Sequence, residues 1–185
     1  MRADAKRNYD RIVEKAREVF REQGYDASLD EIAKRAGVGP GTLYRHFPCR
    51  ENLIDAILKS WVDKVDEAVD EILNDDRPGR SDRELLLTWF EEYVRLISGH
   101  RGAPAKITSA MGDPASPITG KCEALAQANA RVIDRLRADG ALREDVENLQ
   151  VCRLVGGIAT VADQSDLDAT AVRPMLEVVA DGLLR

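Results

Sequence analysis

Hydrogen-bonding side chains are concentrated in the run PGTLYRHF, which spans residues 40–47. In a helix, Leu43 and Phe47 would share one face because they are four residues apart. The opposite face would begin with two small residues and continue with a hydroxyl, a phenol, a guanidinium and an imidazole, from Pro40, Gly41, Thr42, Tyr44, Arg45 and His46. A helix with a small N-terminal end and a donor-rich face fits the DNA major groove. The run therefore predicts recognition of DNA.

A pair of short helices would hold this face in place. Ser28 and Glu31 form the S-x-x-E pattern of a capping box, which predicts that a helix begins at Leu29. Gly37 suits the left-handed position after that helix, and Pro40 suits the first position of the next. These signals predict a helix-turn-helix. Taken alone, the pattern is equally typical of a helical hairpin inside a larger α domain.

A wider set of residues around this hairpin carries a family resemblance. The set consists of Ile12, Ala16, Phe20, Gly24 and Tyr25, then residues 28–33, 36–38 and 41–47, and finally Glu51, Asn52 and Leu53. At this spacing, residues 12–58 resemble the DNA-binding domain of TetR-family transcriptional regulators. The rest of the chain shows only the general plan of that family, which is a divergent all-helical effector domain.

The resemblance implies roles for individual side chains. Tyr44 and His46 would bind phosphates. Ser28 and Arg50 would add phosphate contacts at helix N-termini. The residues that face bases would be Pro40, Gly41, Thr42 and Arg45. The partner would be double-stranded operator DNA with an inverted repeat, because a homodimer imposes its two-fold symmetry on the DNA it binds.

Charge is distributed unevenly along the 185 residues. The net charge of −6 argues at first against nucleic acid, yet residues 1–50 hold 11 Lys/Arg and only 8 Asp/Glu. The remaining residues hold 16 Lys/Arg and 25 Asp/Glu. The basic excess therefore coincides with the helix-turn-helix, and the acidic remainder would reduce non-specific binding to DNA. Either excess alone is also compatible with an ordinary solvated surface.

Apolar periodicity predicts helices along the whole chain. Stripes with a period near 3.6 predict helices over residues 5–23, 50–74, 118–138, 146–163 and 169–184, one from Ser81 or Asp82 to near Gly99, and a short one around 106–111. The expected fold is all-α. An N-terminal three-helix helix-turn-helix DNA-binding domain over residues 1–48 would join a helical-bundle effector-binding and dimerisation domain over residues 49–185. The long fourth helix would link the two.

The last two predicted helices allow two interpretations. Their apolar faces can pack inside one chain, or they can form a four-helix interface between two copies, as the resemblance implies. Adjacent glycines in the first of them would let helices approach closely. The residues assigned to the interface are Leu154, Gly156, Gly157, Ile158, Met175, Leu176 and Val179.

A small-molecule site is expected in the second domain. Residues 99–117 are rich in Gly and Pro and would leave an opening between the helices that carry the two tryptophans. Pockets between bundle helices, lined by aromatic rings and a few polar groups, are common ligand sites. The candidates are Trp61, Trp89, Tyr93, Met111 and Asn129, which would otherwise be ordinary core residues. The expected effector is small and largely apolar.

Other functional classes are weaker alternatives. An enzyme would need convergent acid, base or nucleophilic groups, whereas the sequence has two histidines, no phosphate-binding loop and no G-x-S-x-G. A protein-interaction module that has lost DNA binding is disfavoured by the intact run from Thr42 to Phe47. The three cysteines are far apart and include no C-x-x-C, so no metal site is expected.

The composition favours a globular protein of the cytoplasm. Hydrophobic residues make up 44% and charged residues 32%, which argues against disorder, and no stretch has the apolar length of a membrane span. The sequence therefore predicts a TetR-like, DNA-binding transcriptional regulator, in its simplest form a repressor that a small-molecule effector releases from its operator. No enzymatic activity, cofactor or membrane partner is expected.

Overall fold

The computed structural model describes residues 2–23, 27–75, 77–99, 101–116 and 118–185. Over these residues the chain forms nine α-helices and no β-strand, which confirms the predicted all-α class. In chain order the helices are α1 (Arg2–Gln23), α2 (Leu29–Arg35), α3 (Pro40–His46), α4 (Arg50–Leu73), α5 (Asp82–Ile97), α6 (Ala103–Ala110), α7 (Thr119–Ala138), α8 (Asn148–Gln164) and α9 (Ala169–Leu183). None of the helices described is long and apolar enough to cross a membrane.

Contacts within the chain divide it into two compact units. The first unit ends at Trp61, and the second spans Val62–Arg185. This division falls inside α4, whereas the expected boundary between residues 48 and 49 lies just before that helix begins. Helix α4 therefore supplies its first half to one unit and its second half to the other.

The first unit packs α1, α2 and α3 with the start of α4. On α1, Ile12, Ala16 and Phe20 recur every four residues and are buried, so the helix presents one apolar stripe to the core. The buried partners of this stripe on α2, α3 and α4 include Ile32, Ala33, Leu43, Phe47 and Leu53. A unit this small buries little apolar surface, so each of these contacts contributes a large share of its stability. Gly24 and Tyr25, which belong to the set that carries the family resemblance, lie outside the described residues.

Helix α2 is capped differently from the sequence expectation. The Ser28 side-chain oxygen accepts a hydrogen bond from the Asp30 N–H at 3.2 Å, so Ser28 is the N-cap. Glu31 does not complete a capping box. Its carboxylate accepts a hydrogen bond from Arg35 Nε at 3.0 Å, one turn further along the helix. A charged guanidinium is a stronger partner for a carboxylate than a backbone N–H.

In the second unit, α5 and α8 contact each other, and each of them also contacts α6, α7 and α9. A chain of hydrogen bonds between side chains crosses the core of this unit. Trp89 Nε1 donates to Asn129 Oδ1 at 2.8 Å, and Asn129 Nδ2 donates to Asn148 Oδ1 at 2.8 Å. Asn148 Nδ2 then donates to the Ala126 carbonyl at 2.9 Å. Because each buried polar group has a partner, the network stabilises a unique packing of α5, α7 and α8.

Candidate nucleic-acid interface

Helix α3 has one buried face and one exposed face. Leu43 and Phe47 are buried in the core of the first unit. On the other side, the aromatic ring of Tyr44 is unusually open, with 46% of its surface exposed. The remaining candidates on this helix are Pro40, Gly41 and Arg45, which are exposed, and Thr42 and His46, which are half-buried. The structure therefore brings the six candidates of α3 onto one accessible surface.

The turn between α2 and α3 sets the direction of α3. Gly37 has a φ of 63°, which lies in the left-handed region that favours glycine. Its N–H donates to the Lys34 carbonyl at 3.1 Å. The N–H of Val38 donates to the Ala33 carbonyl at 3.0 Å, so the last carbonyls of α2 are satisfied. Pro40 then occupies the first turn of α3, where its missing N–H costs nothing.

An aromatic contact from α1 supports the end of α3. The ring centre of Tyr9 lies 5.0 Å from that of Phe47 and 6.1 Å from that of His46, and it meets the imidazole edge-on. Tyr9 therefore restricts the orientation of His46. Tyr9 was not singled out in the sequence, although the signal was present, because it precedes Ile12 by three residues and extends the apolar stripe of α1.

The two candidate phosphate contacts outside α3 lie where helices begin. Arg50 Nη1 donates to the Ala27 carbonyl at 2.7 Å, and its guanidinium carbon lies 5.7 Å from the centre of the Phe20 ring. These contacts fix the start of α4 within the first unit. Ser28 is exposed at the start of α2. Binding of phosphate by Ser28 and Arg50 stays a prediction.

One guanidinium of the first unit pairs with two carboxylates. Arg35 donates to Glu31 at 3.0 Å and to Glu22 at 2.6 Å. These hydrogen bonds, the one to Glu22 foremost, raise the pKa of Arg35 above its ordinary value. All three side chains are partly open to solvent, so the gain in stability is small.

The candidate dimer residues of α8 and α9 fall into two groups. Leu154 is 51% exposed, and a Cβ added at Gly157 would meet no atom within 4 Å. The half-buried candidates are Ile158, Met175 and Val179. By contrast, Leu176 is fully buried within the second unit. A Cβ at Gly156 would lie 2.3 Å from Thr108 Oγ1, so Gly156 also packs inside the chain.

Two further valines are exposed on the same two helices as the dimer candidates. Val161 on α8 follows Leu154 by seven residues, which is two helical turns, and Val178 on α9 is 74% exposed. The periodicity that selects them was present in the sequence, but they were assigned to no site. We define the α8–α9 face as Leu154, Gly157, Ile158, Val161, Met175, Val178 and Val179.

Four of the five effector candidates lie in the core of the second unit. They are Trp89, Tyr93, Met111 and Asn129, all buried. The ring of Tyr93 meets that of Trp89 edge-on at 6.0 Å. Burial raises the pKa of Tyr93 above its ordinary value, and the neutral phenol donates to the Cys152 carbonyl at 3.5 Å. The fifth candidate, Trp61, is half-buried and is the last residue of the first unit.

The cavities of the second unit lie away from these candidates. A groove of about 1360 Å³ is lined by α4, α5, the end of α8 and α9. A smaller cavity of about 380 Å³ is lined by residues 77–80, α5 and α9. Neither is lined by any of the five effector candidates. In the part of the chain that the structure describes, no cluster of three or more His, Cys, Asp or Glu is placed to hold a metal ion.

Comparison with known families and proteins connects both units to one class of regulators. Residues 12–57 match the model of the bacterial regulatory proteins of the tetR family, and residues 82–185 match the C-terminal domain of SbtR-like transcriptional regulators. An HTH-type transcriptional regulator of Staphylococcus aureus is 44% identical over 64 residues. That match covers 34% of this chain and only 35% of the relative.

Solved structures resemble the chain over nearly its full length. A TetR transcriptional regulator from Streptomyces coelicolor has 29% identity and a TM-score of 0.68, with 95% of this chain and 98% of that chain covered. A TetR regulatory protein from Mycobacterium vanbaalenii has 27% identity and a TM-score of 0.65, with 100% and 99% covered. The regulator FadR from Bacillus subtilis, in complex with stearoyl-CoA, has 18% identity and a TM-score of 0.68, with 95% and 99% covered, and shows likeness of fold alone.

The roles that the family resemblance implies for Tyr44 and Thr42 predict different outcomes for their substitution. Tyr44→Ala should weaken binding to all DNA sequences alike, by about 1–3 kcal/mol per half-site, because a phosphate contact carries no sequence information. Thr42→Val should instead change the preferred bases, by about 1–3 kcal/mol at the affected position. Fluorescence anisotropy with a panel of operator variants measures both. Circular dichroism confirms that each variant is folded, and an exchange of the two outcomes would contradict the assigned roles.

Proposed function

The chain belongs to the TetR family of bacterial transcriptional regulators, and from this premise we propose that it binds an inverted-repeat operator as a homodimer and represses transcription until a small-molecule effector releases it. The observation that carries the proposal is the exposed face of α3. Burial of Leu43 and Phe47 turns a phenol, a guanidinium and a hydroxyl outward from a short helix that begins with Pro40 and Gly41. That is the surface a recognition helix needs in the major groove.

The charge distribution supports binding to DNA by the first unit. Residues 1–50 carry the basic excess, with 11 Lys/Arg against 8 Asp/Glu. Phosphate contacts by basic groups release counterions from DNA, so the affinity for DNA would depend steeply on salt.

A bacterial protein that regulates transcription by binding DNA would act in the cytoplasm, where the DNA is.

The α8–α9 face supports the homodimer. Leu154, Val161 and Val178 are large apolar side chains exposed on two consecutive helices of one unit. Large apolar side chains left exposed at helical spacing are what an association surface needs. A two-fold axis would place the face of one copy against the same face of the second, so that four helices bury it. Leu176 and Gly156, which pack inside the chain, would support this face from behind.

A continuous helix supports control by an effector. Helix α4 begins at Arg50, four residues after α3 ends, and it contains neither proline nor glycine up to Leu73. A ligand that displaces α4 in the second unit would thereby change the spacing of the two recognition helices in a dimer. FadR, which has the same fold, was solved in complex with stearoyl-CoA, so this fold can hold a ligand. Trp61, Trp89, Tyr93, Met111 and Asn129 are one candidate site, which would have to open because its core members are buried.

Operator binding is tested by a gel shift with the DNA that flanks the gene of this protein. The chain should bind this DNA in preference to random DNA, and between roughly 50 and 200 mM salt the affinity should fall by about a thousandfold if about six phosphates are contacted. Arg45→Ala should weaken binding because Arg45 is exposed on α3.

Arg143→Ala is the matched control for Arg45→Ala. It removes the same charge from the second unit, where Arg143 is exposed and pairs with Asp145. This variant should bind DNA as the unchanged protein does. Equal affinity for random DNA, or an equal loss in the two variants, would contradict the proposed function.

Substitution of the two adjacent glycines of α8 tests whether the α8–α9 face forms the dimer interface. Gly157→Leu should raise the dissociation constant of the dimer, at a cost of about 1–3 kcal/mol, because the new side chain overpacks the α8–α9 face, whereas its Cβ has no atom of its own chain within 4 Å. Gly156→Leu should instead lower the melting temperature, because it collides with Thr108. Analytical ultracentrifugation at low concentration and thermal unfolding separate the two effects. An unchanged dimer in the Gly157→Leu protein would show that this glycine lies outside the interface.

A further inference from the structure

The groove of the second unit, which we name the α4–α5–α9 groove, is built from one stripe of each helix. Residues 64, 67, 68, 71 and 72 of α4 line it, with residues 88, 91, 92, 94 and 95 of α5, Ser98 just after α5, and residues 169, 170, 172, 173 and 176 of α9. Spacings of three and four place each set on a single helix face. Three helices therefore turn one face each toward a common space of about 1360 Å³, which is ample for a drug-sized molecule.

The α4–α5–α9 groove also offers apolar surface, which we call its floor. Ala68 of α4 and Val94 of α5 line it and are half-buried, and Leu167, which follows α8, lines it and is 37% exposed. Ile72, Val172, Leu176 and Ala162 also line the groove, but they are buried and expose little surface to a ligand. A ligand with a hydrocarbon or aromatic body would gain favourable free energy by covering the exposed part of this floor. None of these residues belongs to the α8–α9 face, so dimerisation through that face does not use them.

The rim of the groove carries an excess of negative charge. Ten charged residues line the groove, seven acidic and three basic: Glu67, Glu71, Glu91, Glu92, Asp163, Asp166, Asp168, Lys64, Arg95 and Arg173. Two of the basic residues are already neutralised, because Arg95 pairs with Glu92 and Arg173 pairs with Glu91. Among the described residues that line the groove, these two pairs leave Lys64 as a cation and five carboxylates.

Two of those carboxylates have no partner of their own. Asp163 accepts a hydrogen bond from the Gly102 N–H, Asp168 caps α9, and Asp166 lies 3.6 Å from Arg101. Glu67 and Glu71, in contrast, have neither an ion pair nor a hydrogen bond among the described residues, and both are exposed. They are one turn apart on α4, where like charges repel each other. A cation between them would relieve that repulsion.

We infer that the α4–α5–α9 groove binds an organic cation with an apolar body, and that such a cation is the effector. The second half of this inference rests on the proposed function. The apolar floor would hold the body of the ligand, and Glu67 and Glu71 would hold its positive charge. Both carboxylates and Ala68 belong to α4, the helix that begins just after α3. A ligand seated here therefore contacts the element through which release of DNA is proposed to occur.

Tetraphenylphosphonium is a suitable probe, and tetraphenylborate is its counterpart of nearly the same shape and opposite charge. Isothermal titration calorimetry on the full chain without DNA should show that the cation binds and that the borate does not. Binding of the cation should weaken as salt is raised.

The double variant Glu67→Gln/Glu71→Gln should bind the cation at least about tenfold more weakly, because two negative charges near the cation are removed. The control Glu123→Gln/Glu147→Gln removes two exposed carboxylates that do not line the groove, and it should bind as the unchanged chain does.

A gel shift with operator DNA completes the test. The cation should release the operator from the unchanged chain, and release by the Glu67→Gln/Glu71→Gln protein should need about tenfold more cation. Absence of cation binding, equal binding of the borate, or undiminished binding by that double variant would overturn the groove as a cation site. Cation binding without release would overturn its role as the effector site. Failure of the ligand-free chain to bind any operator would contradict the proposed function alone, because the calorimetry is done without DNA.

Discussion

The burial of Leu43 and Phe47 is the constraint on which the recognition surface depends. Helix α3 has only seven residues, so its attachment rests on these two side chains, the turn at Gly37 and the ring of Tyr9. Loss of a buried leucine side chain typically costs about 2–5 kcal/mol, which is a large part of the stability that a unit this small can have. Because one face of α3 is held inward, the opposite face with Tyr44 and Arg45 must point outward, and it is there that the chain can recognise DNA.

The second unit has a closed core and an open groove, and the two differ in how easily a ligand could enter them. The hydrogen bonds that join Trp89, Asn129 and Asn148 satisfy the polar groups of the core, so a ligand would have to break them to enter. The α4–α5–α9 groove requires no such opening, and its floor and rim offer apolar contact and charge to the same molecule. Helix α4 lines this groove with its second half and supplies Leu53 to the core of the first unit with its first half. A movement of α4 would therefore affect residues of both units.

Local patterns in the sequence predicted most of the fold, because each helix carries its own apolar period and its own end signals. The clearest difference in helix bounds is α6, which begins at Ala103 because Gly102 adopts a φ of 81° and Pro104 suits a first turn. Other features depend on tertiary contacts that no local pattern contains. Gly156 and Gly157 are equivalent in sequence, yet only Gly156 lies against Thr108. The groove was not predicted for the same reason, since its lining comes from helices far apart in the chain.

Selection of binding sites from a pool of random double-stranded DNA tests the central claim most directly, because it assumes nothing about the operator. If α3 reads bases in each copy of a symmetric dimer, the selected sequences should converge on an inverted repeat. Its half-sites should be separated by about one helical turn or a multiple of it. Convergence on a single asymmetric site, or no enrichment over the starting pool, would contradict the account.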